Sequence, residues 1–192
     1  ESTGLVTANP VYGVRKAGSI GITVSGVTAK VADKQGKELL QREVGELIFK
    51  GPNATRGYFN LPEETREKIR DGWVYTGDHA WRDEEGYFYI VGREKELIIS
   101  GGYNIYPREI EEVLHGYPGI SEVAVIGFSD PIKGEVPKAF VTLKQGFEVT
   151  EENLRDFCKK NLAPYKIPRI TFMDELPKTS TGKILKKELP RE

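Results

Sequence analysis

Residues 98–114 read Ile-Ile-Ser-Gly-Gly-Tyr-Asn-Ile-Tyr-Pro-Arg-Glu-Ile-Glu-Glu-Val-Leu. The Gly101-Gly102 pair permits positive φ angles and a close approach of a ligand to the backbone. Pro107 suits the first turn of a helix, and the apolar residues after it recur at helical spacing as far as Gly116. The stretch predicts a tight glycine turn that leads directly into an amphipathic helix.

The chain after this helix alternates predicted strands and helices. Apolar runs at residues 123–128 and 139–143 are typical of buried strands, and Ile170–Phe172 is a further short candidate. Thr150 is a suitable N-cap for a helix that runs to residue 162. Cys158 lies on the apolar face of that helix and is interpreted as a core residue.

The chain before residue 94 is predicted to be rich in β-structure. The expected strands cover residues 24–32, 44–49, 73–75 and 86–91, and a short helix is expected to be capped by Asn60. Between the two parts, Gly92–Lys95 contains neither serine nor proline, so we expect a tight connection. Rotation about one or two of its residues would reorient two compact halves.

Composition excludes several classes of protein. The 192 residues carry 28 basic and 29 acidic side chains, a balance that argues against a nucleic-acid binder. One cysteine excludes an intramolecular disulfide and a cysteine-based zinc ribbon. The sequence contains neither an apolar run of membrane-spanning length nor a recognisable signal peptide at its start. We therefore expect a soluble, cytoplasmic protein.

Tyr75-Thr76-Gly77-Asp78 predicts a turn directly after a strand, with a carboxylate at its end. Such a carboxylate can accept hydrogen bonds from the two vicinal hydroxyls of a ribose. Taken alone, these four residues fit an ordinary solvated turn aspartate better.

Residues 177–185, Pro-Lys-Thr-Ser-Thr-Gly-Lys-Ile-Leu, suggest a phosphate-binding loop but do not fit the P-loop pattern. That pattern requires glycine at Pro177 and serine or threonine at Ile184. The remaining prediction is a flexible, hydroxyl-rich loop that presents Lys183, for which a solvated surface lysine is the simpler alternative.

Four motifs occur in one order: YTGD, DEEGYFYIVGR, ISGGYNIYPREIEEVL and PKTSTGKILK. Together they resemble the C-terminal third of the acyl-activating, adenylate-forming (AMP-binding) enzymes, which include acyl-CoA synthetases, luciferases and peptide-synthetase adenylation domains. The resemblance covers essentially the whole chain. The amino-acid sequence is most similar to those of medium- and long-chain fatty acid–CoA ligases.

The resemblance implies an α+β fold in two parts. Residues 1–93 would form a small β-barrel-like subdomain at the end of the N-terminal adenylation domain. Residues 94–192 would form a compact α+β C-terminal lid domain that moves. The chain begins inside a family motif, so we expect a fragment that lacks the N-terminal part of its own chain.

The resemblance also implies binding of ATP, Mg²⁺ and CoA, and it assigns roles by position. In this sequence the matching residues are Glu1 for Mg²⁺, Asp78 and Arg93 for the ATP ribose, Lys95 for the hinge, Gly101 and Gly102 for the CoA pantetheine arm, and Lys183 for catalysis of adenylation.

The implied reaction joins a fatty acid or other carboxylic acid to CoA through an acyl-adenylate. Two alternatives stay open: a non-catalytic lid or interaction module, and an adenylating enzyme whose acceptor is a carrier-protein thiol or oxygen. The sequence leaves acyl specificity and peripheral contact with a membrane undecided.

Overall fold

The structure is a computed structural model that describes residues 2 and 4–191. The chain divides into two compact units, Glu1–Lys95 and Glu96–Glu192. Sheets and helices occur in both units, which confirms the α+β class. No helix among residues 2 and 4–191 is long and apolar enough to cross a membrane.

The first unit is built around an antiparallel sheet. Its described elements are β1 (Thr7–Ala8), β2 (Ile22–Thr23), β3 (Thr28–Ala32), β4 (Gly45–Lys50), α1 (Pro62–Lys68), β5 (Ile69–Arg70), β6 (Trp73–Arg82) and β7 (Phe88–Arg93). The strand order is β3-β4-β6-β5, with β7 also paired to β6, and β1 and β2 form a separate ribbon. Because side chains alternate along each strand, Val31, Phe49 and Val74 lie on the same buried face of the sheet.

The start of one strand and the cap of the short helix differ from the prediction. The strand expected from residue 24 begins at Thr28, because Gly26 adopts a positive φ of 80° in the preceding turn. Asn60 does not cap α1: it has a φ of 54°, and the N-cap is Leu61, which makes no side-chain capping bond. Pro62 at the helix start and the acidic first turn stand as predicted.

The second unit combines a mixed sheet with two helices. Its described strands and helices are β8 (Ile98–Ser100), β9 (Tyr103–Ile105), α2 (Pro107–His115), β10 (Ile120–Asp130), β11 (Gly134–Leu143), α3 (Glu151–Asn161) and β12 (Arg169–Phe172). The strand order is β10-β11-β8-β9, and β12 lies parallel to β11. Short 3-10 turns occupy Glu94–Glu96, Pro164–Lys166 and Lys186–Glu188.

One face of this sheet packs against α2 and α3. The apolar side chains Ile110, Val125, Val141 and Leu154 are fully buried in this layer. Cys158 is buried with them, and its burial raises the pKa of its thiol to about 11, which confirms it as a core residue. As predicted, Thr150 caps α3, in a capping box that Asn153 completes.

The opposite face of the sheet is covered by the last part of the chain. Phe140 of β11 is fully buried there together with Ala124 and Ile126 of β10. Leu176 and Leu189 close the layer from the other side. These two leucines flank residues 177–185, so the sheet's second core fixes both ends of the segment that carries Lys183.

Candidate functional site

The Gly101-Gly102 pair forms the turn of a tight β-hairpin. Ser100 of β8 pairs with Tyr103 of β9, and the glycines between them have φ angles of 55° and 85°. The Gly101 N–H donates a 2.8 Å hydrogen bond to the Lys133 carbonyl, which ties the turn to the start of β11. A Cβ added at Gly102 would meet nothing within 4 Å, so the backbone here faces open space.

The turn is confirmed, but its flanking strands were missed. Apolar and aromatic residues on both sides of a two-residue glycine turn are the usual sign of a hairpin. That signal was present in residues 98–105 and could have found β8 and β9.

Lys183 lies on a hydrogen-bonded turn within the predicted loop. Lys178 and Ile184 pair across the turn, and the Thr179 N–H donates to the Lys183 carbonyl at 2.8 Å. The Lys183 N–H donates to Thr179 Oγ1 at 3.1 Å, and the Gly182 N–H donates to the Thr179 carbonyl at 2.9 Å. The Thr179 hydroxyl thus satisfies one backbone donor of the turn, the Lys183 N–H, and the Thr179 backbone carbonyl satisfies another, the Gly182 N–H.

The Lys183 side chain is exposed and makes no ion pair with the described residues. A charged amine on a fixed backbone can therefore contact a ligand without first breaking an internal bond. The neighbouring Lys178, in contrast, is engaged with Glu122 at 2.8 Å.

Asp78 lies inside a strand, so the prediction of a turn directly after a strand was wrong. β6 continues through it because Gly77 adopts a φ of 73° and the pairing with β4 shifts register between Glu46 and Ile48. Such a bulge re-aims the side chains that follow it. The Thr76 hydroxyl donates to the Leu47 carbonyl at 2.7 Å and holds the bulged strand in place.

Asp78 is paired with Arg93 of the adjacent strand β7. Arg93 Nε lies 3.1 Å from Asp78 Oδ1, and the Asp78 side chain keeps 30% of its surface exposed. An exposed pair of this kind contributes little to stability. The geometry leaves part of the carboxylate free to accept a hydrogen bond from a ligand hydroxyl.

Lys95 lies in the 3-10 turn Glu94–Glu96, at the last residue of the first unit. The sequence placed the boundary after Arg93, two residues earlier. Lys95 is exposed and forms no ion pair with the part of the chain that the structure describes.

The structure joins some of the candidate residues and not others. Asp78 contacts Arg93 in the first unit, whereas the glycine hairpin and Lys183 belong to the second. Within residues 2 and 4–191 no hydrogen bond or ion pair connects Lys183 to the hairpin, and no cluster of three or more possible metal ligands occurs. Glu1, the candidate Mg²⁺ ligand, lies outside the described residues.

Residues 109–183 match the family model of the AMP-binding enzyme C-terminal domain, and residues 1–59 match that of the AMP-binding enzyme. The chain belongs to the AMP-binding enzyme family. The match to the C-terminal domain ends at Lys183. The predicted resemblance to adenylate-forming enzymes is confirmed.

Relatives of this AMP-binding chain include two curated ligases. It is 47% identical, over its full length, to a long-chain-fatty-acid–CoA ligase of Bacillus subtilis (strain 168), of which it covers 35%. It is 44% identical over 97% of its length to a 2-succinylbenzoate–CoA ligase of Geobacillus kaustophilus (strain HTA426), of which it covers 38%. The chain therefore spans little more than a third of the length of these relatives.

A solved structure supports the same assignment. ATP-bound MatB from Rhodopseudomonas palustris superimposes on 94% of the AMP-binding chain with a TM-score of 0.88 and 40% identity. The matched part is 37% of the MatB chain.

Proposed function

We propose that this chain supplies the C-terminal third of an acyl-CoA ligase, which joins a carboxylic acid to CoA at the expense of ATP and releases AMP and pyrophosphate. The observation that carries the proposal is the ordered turn of Lys183, with its amine exposed, in the same unit as the open Gly101-Gly102 hairpin.

Lys183 would act in the first half-reaction, in which the carboxylate attacks the α-phosphate of ATP. Negative charge accumulates between the two reacting groups, and a preorganised ammonium stabilises it most effectively where water is excluded. The hydrogen bonds of Thr179 to the Lys183 backbone support this role, because they fix the origin of the side chain before substrate arrives.

Asp78 and Arg93 would hold the ribose of ATP. The exposed part of the Asp78 carboxylate can accept hydrogen bonds from both ribose hydroxyls, and the contact with Arg93 orients that carboxylate. The proposal includes Mg²⁺ on the ATP, with Glu1 as one of its ligands.

Gly101 and Gly102 would serve the second half-reaction, in which the CoA thiol attacks the acyl-adenylate. Their hairpin offers backbone without side chains, so a narrow pantetheine arm could pass close to it. Rotation at Lys95 would withdraw Lys183 and bring in the hairpin, so that one unit serves both steps by occupying two orientations.

A fatty acid is the proposed substrate. Its support is the resemblance of residues 102–114 to fatty acid–CoA ligases and the fatty-acid ligase relative, although the succinylbenzoate ligase is nearly as similar. The acceptor is proposed to be CoA, since both relatives are named CoA ligases.

Pyrophosphate release by the intact protein tests this function. A panel should contain medium- and long-chain fatty acids and succinylbenzoate, each with CoA, a carrier-protein thiol or no acceptor. We expect release with fatty acids and thioester formation with CoA. Release with none of the acids would contradict the function in favour of a non-catalytic module, and transfer to another acceptor would contradict the CoA assignment.

Gly102→Leu in the intact ligase should separate the two half-reactions. We expect pyrophosphate release to stay within twofold, while thioester formation from acyl-adenylate falls roughly 10-fold, because forcing methylenes into a filled channel costs ~1–3 kcal/mol. Both rates are measured by rapid quench.

Gly146→Leu is the matched control for that substitution. Gly146 also has a positive φ, 82°, and open space at its Cβ position, so leucine there brings the same backbone strain of about 1–2 kcal/mol. Equal effects of the two variants on thioester formation would contradict a role for Gly102 in CoA binding.

A further inference from the structure

Lys186 joins two acidic residues that are far away in the sequence. Its Nζ lies 2.6 Å from Glu96 Oε2 and 2.9 Å from Glu111 Oε1. The side chains of Lys186, Glu111 and Glu96 are 26%, 18% and 40% exposed, so the contact with Glu111 is better shielded from water than the contact with Glu96. Both partners lie in the second unit, as does Lys186.

The three residues connect three parts of the unit. Glu96 ends the 3-10 turn that contains Lys95, and Glu111 lies on α2. The Glu111 carboxylate also accepts a 2.8 Å hydrogen bond from the Val125 N–H of β10, which fixes its position. Lys186 follows the Lys183 turn by three residues, so the bridge connects that turn to the first residues of the unit.

Charge balance makes this contact more than a surface pair. Burial lowers the pKa of Lys186, but the two carboxylates raise it by a larger amount. The pKa therefore lies above its ordinary value, and the amine stays protonated. Removing the ammonium would leave two carboxylates near each other with no cation between them, and the removal of one partner from a partly buried ion pair is destabilising.

We propose that Lys186 is a positioning residue, which holds the Lys183 turn in a fixed place relative to the hinge turn Glu94–Glu96. The inference rests on the proposed function, because it assigns Lys186 to the half-reaction that Lys183 serves. When the unit rotates at Lys95, the bridge makes the hinge end and the catalytic turn move as one body. The hydrophobic contacts of Leu176 and Leu189 fix the distance of the segment from the sheet, and the bridge fixes its position along it.

The first experiment is amide hydrogen exchange on this chain, which needs no enzymatic activity. In Lys186→Met we expect the amides of Thr179, Gly182 and Lys183, all bonded within the turn, to exchange about tenfold faster, with α3 unchanged. Lys186→Arg should restore most of the protection. Lys187→Met is the matched control, because Lys187 is exposed and makes no ion pair with the described residues.

A milder variant guards against general unfolding. Glu96→Gln keeps the Lys186–Glu111 contact, and we expect it to accelerate exchange in the same three amides to a smaller extent. Unchanged exchange in both Lys186→Met and Glu96→Gln, or equal acceleration across the whole unit, would overturn the positioning role.

The second experiment separates the half-reactions in the intact ligase. Lys186→Met should lower kcat for adenylation about tenfold, with an unchanged KM for ATP, because displacing a catalytic group costs rate and not substrate binding. Thioester formation from acyl-adenylate should stay within twofold, and Lys186→Arg should recover adenylation. Equal losses in both half-reactions would overturn the proposal. If the wild-type ligase releases no pyrophosphate, the proposed function is contradicted, and the hydrogen-exchange result alone decides whether Lys186 positions the Lys183 turn.

Discussion

Replacing Lys183 with alanine in the intact ligase is expected to lower the rate of acyl-adenylate formation by about 100- to 1,000-fold, the usual cost of removing one preorganised charge-stabilising donor. The amine is exposed and forms no ion pair with the described residues, so its loss should leave the fold intact. Thioester formation from preformed acyl-adenylate should change by less than threefold. The measurement is pyrophosphate exchange for the first step and rapid quench for the second.

Two further variants make this result specific. Lys187→Ala removes a neighbouring exposed lysine and should leave both steps unchanged. Thr179→Val removes the hydroxyl that accepts from the Lys183 N–H and should produce a partial loss of the first step alone. If Lys183→Ala slowed both half-reactions equally, the division of labour between the turn and the glycine hairpin would be wrong.

Phe140→Ala is expected to be the most destabilising single substitution in the second unit, with a loss of ~3–5 kcal/mol in the free energy of unfolding. Phe140 is fully buried against Leu176 and Leu189, so its loss leaves a cavity under the segment that carries Lys183. Urea denaturation, monitored by far-ultraviolet circular dichroism, measures the change.

Phe59→Ala provides the control for Phe140→Ala. Phe59 is 90% exposed, and truncating it should alter stability by no more than about 0.5 kcal/mol. A loss below about 1 kcal/mol for Phe140→Ala would contradict the role of the second core layer in seating the C-terminal segment.

Elements whose signals are local could be predicted from the sequence. The helix that begins at Pro107 and the cap of α3 at Thr150 need only neighbouring residues, and both were found within one residue. Strand β12 was also found, but its parallel pairing with β11 was not, because pairing depends on residues that a short apolar run does not identify.

The errors concern features that form through distant contacts. Asp78 was placed in a turn because Thr-Gly-Asp is typical of turns, yet the pairing with β4 absorbs the glycine as a bulge within a long strand. Lys183 was placed on a loop because its neighbours are small and polar, whereas the Thr179 hydroxyl accepts from the Lys183 N–H and helps to form a turn.

Lys186 was missed altogether, and its own neighbourhood offers no signal. It is one of several lysines in residues 183–187, and its partners precede it by 90 and 75 positions. The family resemblance assigned roles to individual residues. It did not name the contacts that hold them, which come from the three-dimensional structure.

The parallel pairing of β12 with β11 has a consequence for the order in which the protein acquires its parts. Antiparallel β10 and β11 are adjacent along the chain and can pair early. Strand β12 can pair with β11 only after residues 144–168, which include α3, have folded between them. Residues 177–185 come later still and need the finished sheet as their platform. We therefore expect nascent or refolding molecules to form the sheet first and the Lys183 turn last.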